Sequence, residues 1–364
     1  MVYDLEQYSC HRLLIPDHRR APMPVVTFHV GMPKCATTTI QSFLAERAEW
    51  LAARGQIYEH HPEDRTRNQG NAAQLAAFCA ARDLVRMEAH LGYFLRSGHD
   101  VLLSSEILFD LWREDGFVPL REAVARLGYD LRVVVYLKRQ DLWIESDFKQ
   151  HVKGRSDWVG PFEDLLERRV TRGTLDYHKL LMQWATQVGR EAMTVVPLTP
   201  SQPQGYAIER FLEVIGLAPP ESGLDIPRQN VSPSAAVIEA ARHIKAALIG
   251  QGLGTEERAA VMAGFFAATE VLTAAERDAG ALSPVARRAL LDRCAPSNAA
   301  LARAFLGDVA PFEELDRDAG VDWVPLSERA LDVLSGCVAR SLIGPEPEVG
   351  GPSLLGRLSG FLRR

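Results

Sequence analysis

Lys34 and the run Thr37-Thr38-Thr39 stand close together in the string HVGMPKCATTTIQ, residues 29–41. An ammonium and three consecutive hydroxyls are donors suited to phosphate or sulfate oxygens. What flanks them strengthens that reading. Pro24–Val30 is rich in β-branched and aromatic residues and predicts a buried strand. From Thr37 to Arg54, Ile40, Phe43, Leu44, Ala48 and Leu51 recur at helical spacing. A helix that begins at Thr37 presents unpaired N–H groups and the positive end of its dipole to the loop. Residues Val25–Leu44 therefore predict a strand–loop–helix phosphate cradle.

The loop differs from the triphosphate pattern GxxxxGK[ST]. Laid on Gly31, that pattern wants Gly at 36 and Lys at 37, where the chain has Ala36 and Thr37. With the lysine in mid-loop, the charge contact of an ATP-hydrolysing site is lost, while a monophosphate or phosphosulfate still fits.

A second basic group follows the clearest strand in the chain, Leu131–Leu137. It reads Lys138-Arg139-Gln140-Asp141, with Ser146 on the helix beyond. Ligands of parallel sheets bind outside the carboxyl ends of the strands, so both basic groups are expected at one crevice. Arg228-Gln229-Asn230-Val231-Ser232 lies just past the expected sheet, and Ser232 or Ser234 serves there as a helix N-cap. For a general base, Glu106 follows strand Asp100–Ser104, although it also reads as a helix N-terminal carboxylate; Glu59, His60 and His61 are rivals. His60 and His61 are adjacent and in a strand would face opposite sides, and no metal-ligand spacing is visible, so no metal site is expected.

The run Pro33-Lys34-Cys35-Ala36-Thr37-Thr38 resembles the 5′-phosphosulfate loop of the sulfotransferases, usually written PK-[ST]-GTT. The wider string is similar to bacterial sulfotransferases that act on carbohydrates and other small hydroxyl acceptors. The resemblance implies a P-loop NTPase-like sulfotransferase fold. It also implies 3′-phosphoadenosine 5′-phosphosulfate (PAPS) as donor, its bisphosphate PAP as product, and a saccharide or other small-molecule acceptor. By the same resemblance, Lys34 stabilises the departing phosphate, and Cys35, Ala36, Thr37, Thr38 and Thr39 surround the 5′-phosphate. Lys138, Arg139 and Ser146 jointly take the 3′-phosphate, Arg228 closes over the nucleotide, and Glu106 is the base. Lys149 and Gln150 match a Lys-Gln pair frequent in bacterial members. Tyr177, Trp184 and Pro296-Ser297-Asn298 also match recurrent positions, though core packing and helix capping explain them. The chain departs from the pattern at Cys35 (for Ser or Thr), Ala36 (for Gly) and Lys138 (for Arg). Two competing functions are a P-loop kinase-like phosphotransferase, which the missing GK[ST] opposes, and a non-catalytic nucleotide-binding protein, which Cys35 and Ala36 would favour.

The elements that must position these residues alternate. Short strands at 56–58, 100–104, 131–137 and 192–197 are separated by helical stretches at 72–89, 119–127, 141–152 and 177–188, with a last helix at 208–215. This predicts an α/β three-layer sandwich with a central parallel sheet. Residues 233–340 are rich in Ala, Leu, Arg and Glu and predict a helical C-terminal part. The expected organisation is a core over 1–228, a helical extension over 229–343 and a linker and amphipathic tail over 344–364.

Composition sets the outer limits. The 364 residues carry a formal net charge of −6, which argues against bulk nucleic-acid binding and requires any anion site to be a local cluster of donors. The five scattered cysteines, without CxxC spacing, argue against a disulfide framework and for a reducing, cytoplasmic setting. The N-terminus has no apolar signal-like region, and no apolar run is long enough to span a bilayer. In the tail, Leu354, Leu355, Leu358, Phe361 and Leu362 fit either a docked terminal helix or a weak peripheral membrane contact. Oligomeric state is not readable.

Overall fold

The computed structural model describes residues 23–64, 69–221, 223–224, 233–269 and 281–314. The lead-in, Arg228, the 228/229 boundary, and the linker and tail lie outside the described residues. Five strands form one sheet: β1 (Val25–His29), β2 (Gln56–Ile57), β3 (Asp100–Ser104), β4 (Asp130–Lys138) and β5 (Met193–Leu198). Every pairing is parallel, in the order β2-β3-β1-β4-β5. Buried on both faces, the central strands carry unbroken apolar runs rather than alternation: Val133 to Leu137 are all fully buried.

Helices cover the sheet on both sides. α1 (Thr37–Glu46) lies against a late helix, Tyr206–Val214; α4 (Leu84–Leu95), α5 (Val118–Arg126) and α8 (Tyr177–Val188) pack together as another layer. The expected long helix at 37–54 is two pieces, α1 and α2 (Ala48–Ala52), because Arg47 leaves helical geometry at φ −107°, ψ 19°. The alanine-rich stretch 72–89 also divides, into α3 (Ala73–Ala80) and α4. Arg82 turns left-handed at φ 57° and Asp83 starts α4 by accepting the Arg86 amide. Two elements went unread in the sequence: a 3-10 helix over Glu106–Asp115, and α7 (Phe162–Thr171), which is acidic in its first turn and basic in its last.

The remaining helices are α6 (Gln140–Lys153), α9 (Tyr206–Val214), α10 (Ala235–Gly250), α11 (Thr255–Ala268) and α12 (Pro284–Phe305). α10 and α12 both pack on α6, and α12 also packs on α8. The helical part thus rests on the helix that leaves β4. The chain leaves β1 toward β2 on one side of the sheet and leaves β4 toward β5 on the other. The connections diverge there, which makes the carboxyl ends of β1 and β4 the switch point at which open parallel sheets form their ligand crevice. Among the described helices, none is long and apolar enough to cross a membrane.

Candidate functional site

The loop from β1 to α1 enters that crevice. Gly31 is required by close approach: a Cβ there would lie 2.5 Å from Thr37 Cγ2 and 3.0 Å from His29 Nε2. Lys34 (φ 69°) and Ala36 (φ 60°) are both left-handed and Cys35 between them is not. The two left-handed residues fold the loop into a tight turn, which the Cys35 amide closes on the Met32 carbonyl. Ala36 is the N-cap residue of α1, where no side chain accepts a hydrogen bond and no acidic residue occupies the first turn. The first intrahelical bond runs from the Ile40 amide to the Ala36 carbonyl. The amides before Ile40 are thus the orphan donors of a helix start that lacks a protein carboxylate or hydroxyl cap. Thr37 is buried, Thr39 half-buried and Thr38 exposed at the mouth.

The loop is pinned from α6. Trp143 Nε1 donates to the Pro33 carbonyl at 2.9 Å, and Trp143 itself is buried. Lys34 Nζ donates to Gln150 Oε1 at 3.3 Å, so its ammonium reaches across the crevice to α6. Cys35 lies beneath the loop. Its amide is spent on the Met32 carbonyl at 3.1 Å and its side chain is fully buried, with burial pushing the thiol up to about 12. The Cys35 side chain is thus part of the core under the loop, and its amide is already paired.

Lys138 and Ser146 are brought together. They line one cleft of about 360 Å³ with Leu142, Glu145, Lys149 and Thr199. Arg139 is not brought there. Its Nε and Nη2 bond the two carboxylate oxygens of the fully buried Asp141, at 2.8 and 3.1 Å, and its Nη1 donates to the Glu313 carbonyl at 3.2 Å. It faces a separate cavity of about 760 Å³ beside α12. The physical reason is strand alternation: two adjacent residues leaving a strand project to opposite sides, so only one of Lys138 and Arg139 can face the cleft. Asp141 is shared further with Arg287. Burial by itself would raise this carboxyl, but the Arg139 and Arg287 guanidiniums hold it below the usual carboxylate range.

The electrostatics of the crevice are lopsided. Burial pushes the Lys138 ammonium below the usual lysine range, and nearby Lys34 adds to the effect. Burial lowers Lys149 likewise; Glu145 opposes this, while Lys153 and Lys138 reinforce it. Lys153, at the outer rim and 5.5 Å from the Phe266 ring, is lowered by partial burial and then by Lys34. Lys34, Lys138, Lys149 and Lys153 thus form one electrostatically connected group, and Glu145 lines the cleft beside Lys138 and Lys149. An anion binding here would relieve their mutual repulsion.

Glu106 lies at the opposite flank of the α1 start, where its Oε2 accepts the Thr37 hydroxyl at 3.3 Å. It is half-buried and opens the 3-10 helix, for which Ser105 is the cap. Its rivals are occupied elsewhere. Glu59 pairs with Arg96 at 2.6 and 2.9 Å and accepts from Tyr93. His61 accepts the Glu63 amide and stacks on His90 with ring centroids 3.8 Å apart, and His60 lies 3.6 Å from Asp64. Among the described residues, no group of three or more His, Cys, Asp or Glu side chains is arranged to hold a metal ion.

The remaining family-like positions are structural. Tyr177 and Trp184 are fully buried; Tyr177 donates to the Lys138 carbonyl at 2.8 Å and so steadies the end of β4. Ser297 accepts the His178 amide and donates to Asp176, while Asn298 and Gln140 exchange amide hydrogen bonds at 2.7 and 3.2 Å. Lys153, which the sequence reading did not single out, joins this charge group without lining the cleft. It follows Lys149 and Glu145 at intervals of one helical turn, which was the available signal.

Comparison with known proteins adds little to this geometry. No family model matches the chain. No solved structure matches it. It is 36% identical over 93 residues to an uncharacterized protein of Archaeoglobus fulgidus. That match covers 25% of this chain and spans about a quarter, 24%, of the length of the relative.

Proposed function

We propose that this chain is a PAPS-dependent sulfotransferase of the P-loop-like sulfotransferase fold, moving a sulfuryl group to the hydroxyl of a saccharide or other small molecule. One observation carries the proposal. The uncapped start of α1 and Lys34, which reaches α6 at Gln150, lie beside the cleft that Lys138 and Ser146 line with the end of β5, in a chain whose overall charge is negative. The donor set fits the nucleotide: orphan amides and threonine hydroxyls for one anionic group, and lysines with a serine for another. PAPS supplies the sulfuryl group when bound. Thr37, Thr38 and the α1 amides hold its 5′ end. Lys34 neutralises charge that develops on the departing phosphate, a task of positioning and electrostatic stabilisation like that in phosphoryl transfer. Glu106, beside Thr37, receives the proton of the acceptor hydroxyl.

The test has two parts. Thermal shift against PAP, ADP and ATP should show stabilisation by PAP without added magnesium and little by ATP. Release of PAP from PAPS over a panel of hydroxyl acceptors should then fall by about 10²-fold or more in Lys34→Ala, the scale seen when one preorganised charge contact is removed. ATP turnover with magnesium, or a Lys34→Ala protein that transfers at the parent rate, would refute the assignment.

A further inference from the structure

Residues 307–314 follow α12 and take no part in the donor set above, yet they run to the rim of the lysine cleft. α12 stops at Phe305, and the amides of Leu306 and Asp308 both return to the Ala302 carbonyl, at 3.0 and 3.1 Å. Gly307 and Asp308 are left-handed, at φ 60° and 66°, so the chain turns back on the helix. Pro311 is buried, and the Phe312 ring meets Tyr177 edge-on with centroids 6.2 Å apart. These two side chains seat the segment on the body.

Glu313 then reaches across to the sheet. Its carbonyl accepts Arg139 Nη1 at 3.2 Å. Its carboxylate accepts the Thr199 hydroxyl at 3.1 Å and the Ser201 hydroxyl as well. Thr199 and Ser201 lie in the turn that leaves β5, where the Thr199 amide donates to Gln202 Oε1 at 2.9 Å and the Gln202 amide to the Thr199 carbonyl at 3.3 Å. Thr199 lines the lysine cleft, whereas Glu313 lines the cavity beside α12. The bond between them is therefore part of the wall that parts these two spaces.

The geometry points to Glu313 as a latch: its carboxylate fastens the β5 turn to the segment after α12 and closes the lysine cleft on that side, and a nucleotide enters by parting it. This inference rests on the nucleotide reading above and concerns access to that site rather than any group that holds the ligand. Size supports it. The cleft measures about 360 Å³, at the small end of the roughly 300–1,000 Å³ of ligand pockets, and about 760 Å³ more lies behind the latch. A small anion fits the cleft as it stands; a nucleoside bisphosphate, with its base and ribose, needs room beyond it. The strength of the contact also suits a latch. Glu313 and Ser201 are exposed and Thr199 is half-buried, so water competes for each bond and opening costs little. Pro311 and Phe312 keep the segment seated when the carboxylate lets go, so opening moves one side chain and one turn.

Titration calorimetry of the full chain with PAP and with inorganic pyrophosphate tests the latch. A closed fraction lowers the apparent affinity of any ligand that needs the open form. Glu313→Ala removes both hydroxyl contacts and should bind PAP about two- to tenfold tighter, the worth of one or two exposed hydrogen bonds. Pyrophosphate binding should stay within about twofold, because the cleft already admits it. Glu313→Gln keeps an oxygen for the two hydroxyls and should gain less than Glu313→Ala. The double variant Thr199→Val with Ser201→Ala breaks the latch from the other side; it should gain as much as Glu313→Ala, and adding Glu313→Ala to it should gain nothing more. Equal gains in Glu313→Ala and Glu313→Gln, or equal gains for PAP and pyrophosphate, would assign the effect to charge and overturn the latch. Unchanged or weaker PAP binding in Glu313→Ala overturns it as well, while PAP binding by the parent leaves the nucleotide reading standing. If PAP binds neither the parent nor Glu313→Ala, the latch and the nucleotide reading fall together.

Discussion

Ala36 shows what a single residue in this loop costs. Its φ of 60° and ψ of 15° lie in the left-handed region, where the Cβ of an L-residue crowds the following carbonyl and costs about 1–2 kcal/mol. Glycine would avoid that penalty but would carry more entropy in the unfolded chain, about 0.5–1 kcal/mol. The expected net effect of Ala36→Gly is a gain of roughly 0.5–1 kcal/mol in a denaturant melt. Ala36→Val, with a branched Cβ at the same φ, should lose more than that. Loss of stability in Ala36→Gly would show that the left-handed turn is not strained. At this scale much of the candidate site was legible. Lys34 beside three threonines marks the candidate loop because its donors are adjacent in the chain. The exclusion of Arg139 was also legible in principle, since adjacent residues at a strand end diverge, but spacing to Ser146 alone could not say which of the pair faces inward. The burial of Cys35 was not legible, because it depends on where the end of β4 runs beneath the loop.

At the scale of elements, α6 organises the site. It carries Trp143 against Pro33, Ser146 and Lys149 along the cleft, and Gln150 and Lys153 toward Lys34. Its far end is fixed by an unusual cap. Lys245 of α10, 3% exposed, donates Nζ to the carbonyls of His151, Val152 and Gly154 at 3.0, 3.3 and 3.0 Å. These are among the orphan carbonyls of a helix end, and a cation there also complements the dipole. Lys245→Met keeps the apolar stem and deletes the donors, leaving buried carbonyls unpaired. We expect a loss of about 2–4 kcal/mol in chemical denaturation, from charge-assisted bonds worth about 1.5–3 kcal/mol each that are not additive. A change under about 0.5 kcal/mol would mean that solvent replaces the cap. The strands and most helices of this layer were readable from apolar runs and periodicity. The breaks at Arg47 and Arg82 were not, because neither position carries the Gly or Pro that usually marks one. The lysine cap was equally hidden, since α6 and α10 are far apart in sequence and meet only through tertiary packing.

For the whole molecule, the buried ionisable groups set a pH window for stability. His29 ends β1 directly beneath the loop. It is fully buried, its Nδ1 is 2.8 Å from Ser104 Oγ, and its ring edge meets Tyr136 and Phe211. Burial lowers its pKa from 6.5 to about 3, so the folded protein keeps it neutral. Asp141, whose carboxyl the two guanidiniums hold below its usual range, joins the start of α6 to α12. Both shifts act with the same sign. Between pH 6.5 and about 3 the unfolded chain binds a proton at His29 that the folded chain refuses, so stability is complete above pH 6.5 and declines as the pH falls through that range. Asp141 adds to the decline below its ordinary value of 3.8, where the unfolded carboxylate protonates first. His29 alone should contribute a slope of about 1.36 kcal/mol per pH unit inside its window. His29→Phe keeps an aromatic ring between Tyr136 and Phe211 and removes the titration. Its stability at neutral pH should be modestly lower, since Ser104 loses a partner, but the curve from pH 6.5 to 4 should be flatter by up to that slope. Denaturant titrations of both proteins across this range provide the measurement. Parallel curves would mean that the acid limit lies with Asp141 and the other carboxylates. Because α10 and α12 pack on α6, and Asp141 ties α12 to its first turn, the loss on acidification should appear as one cooperative transition of sheet and helical part together.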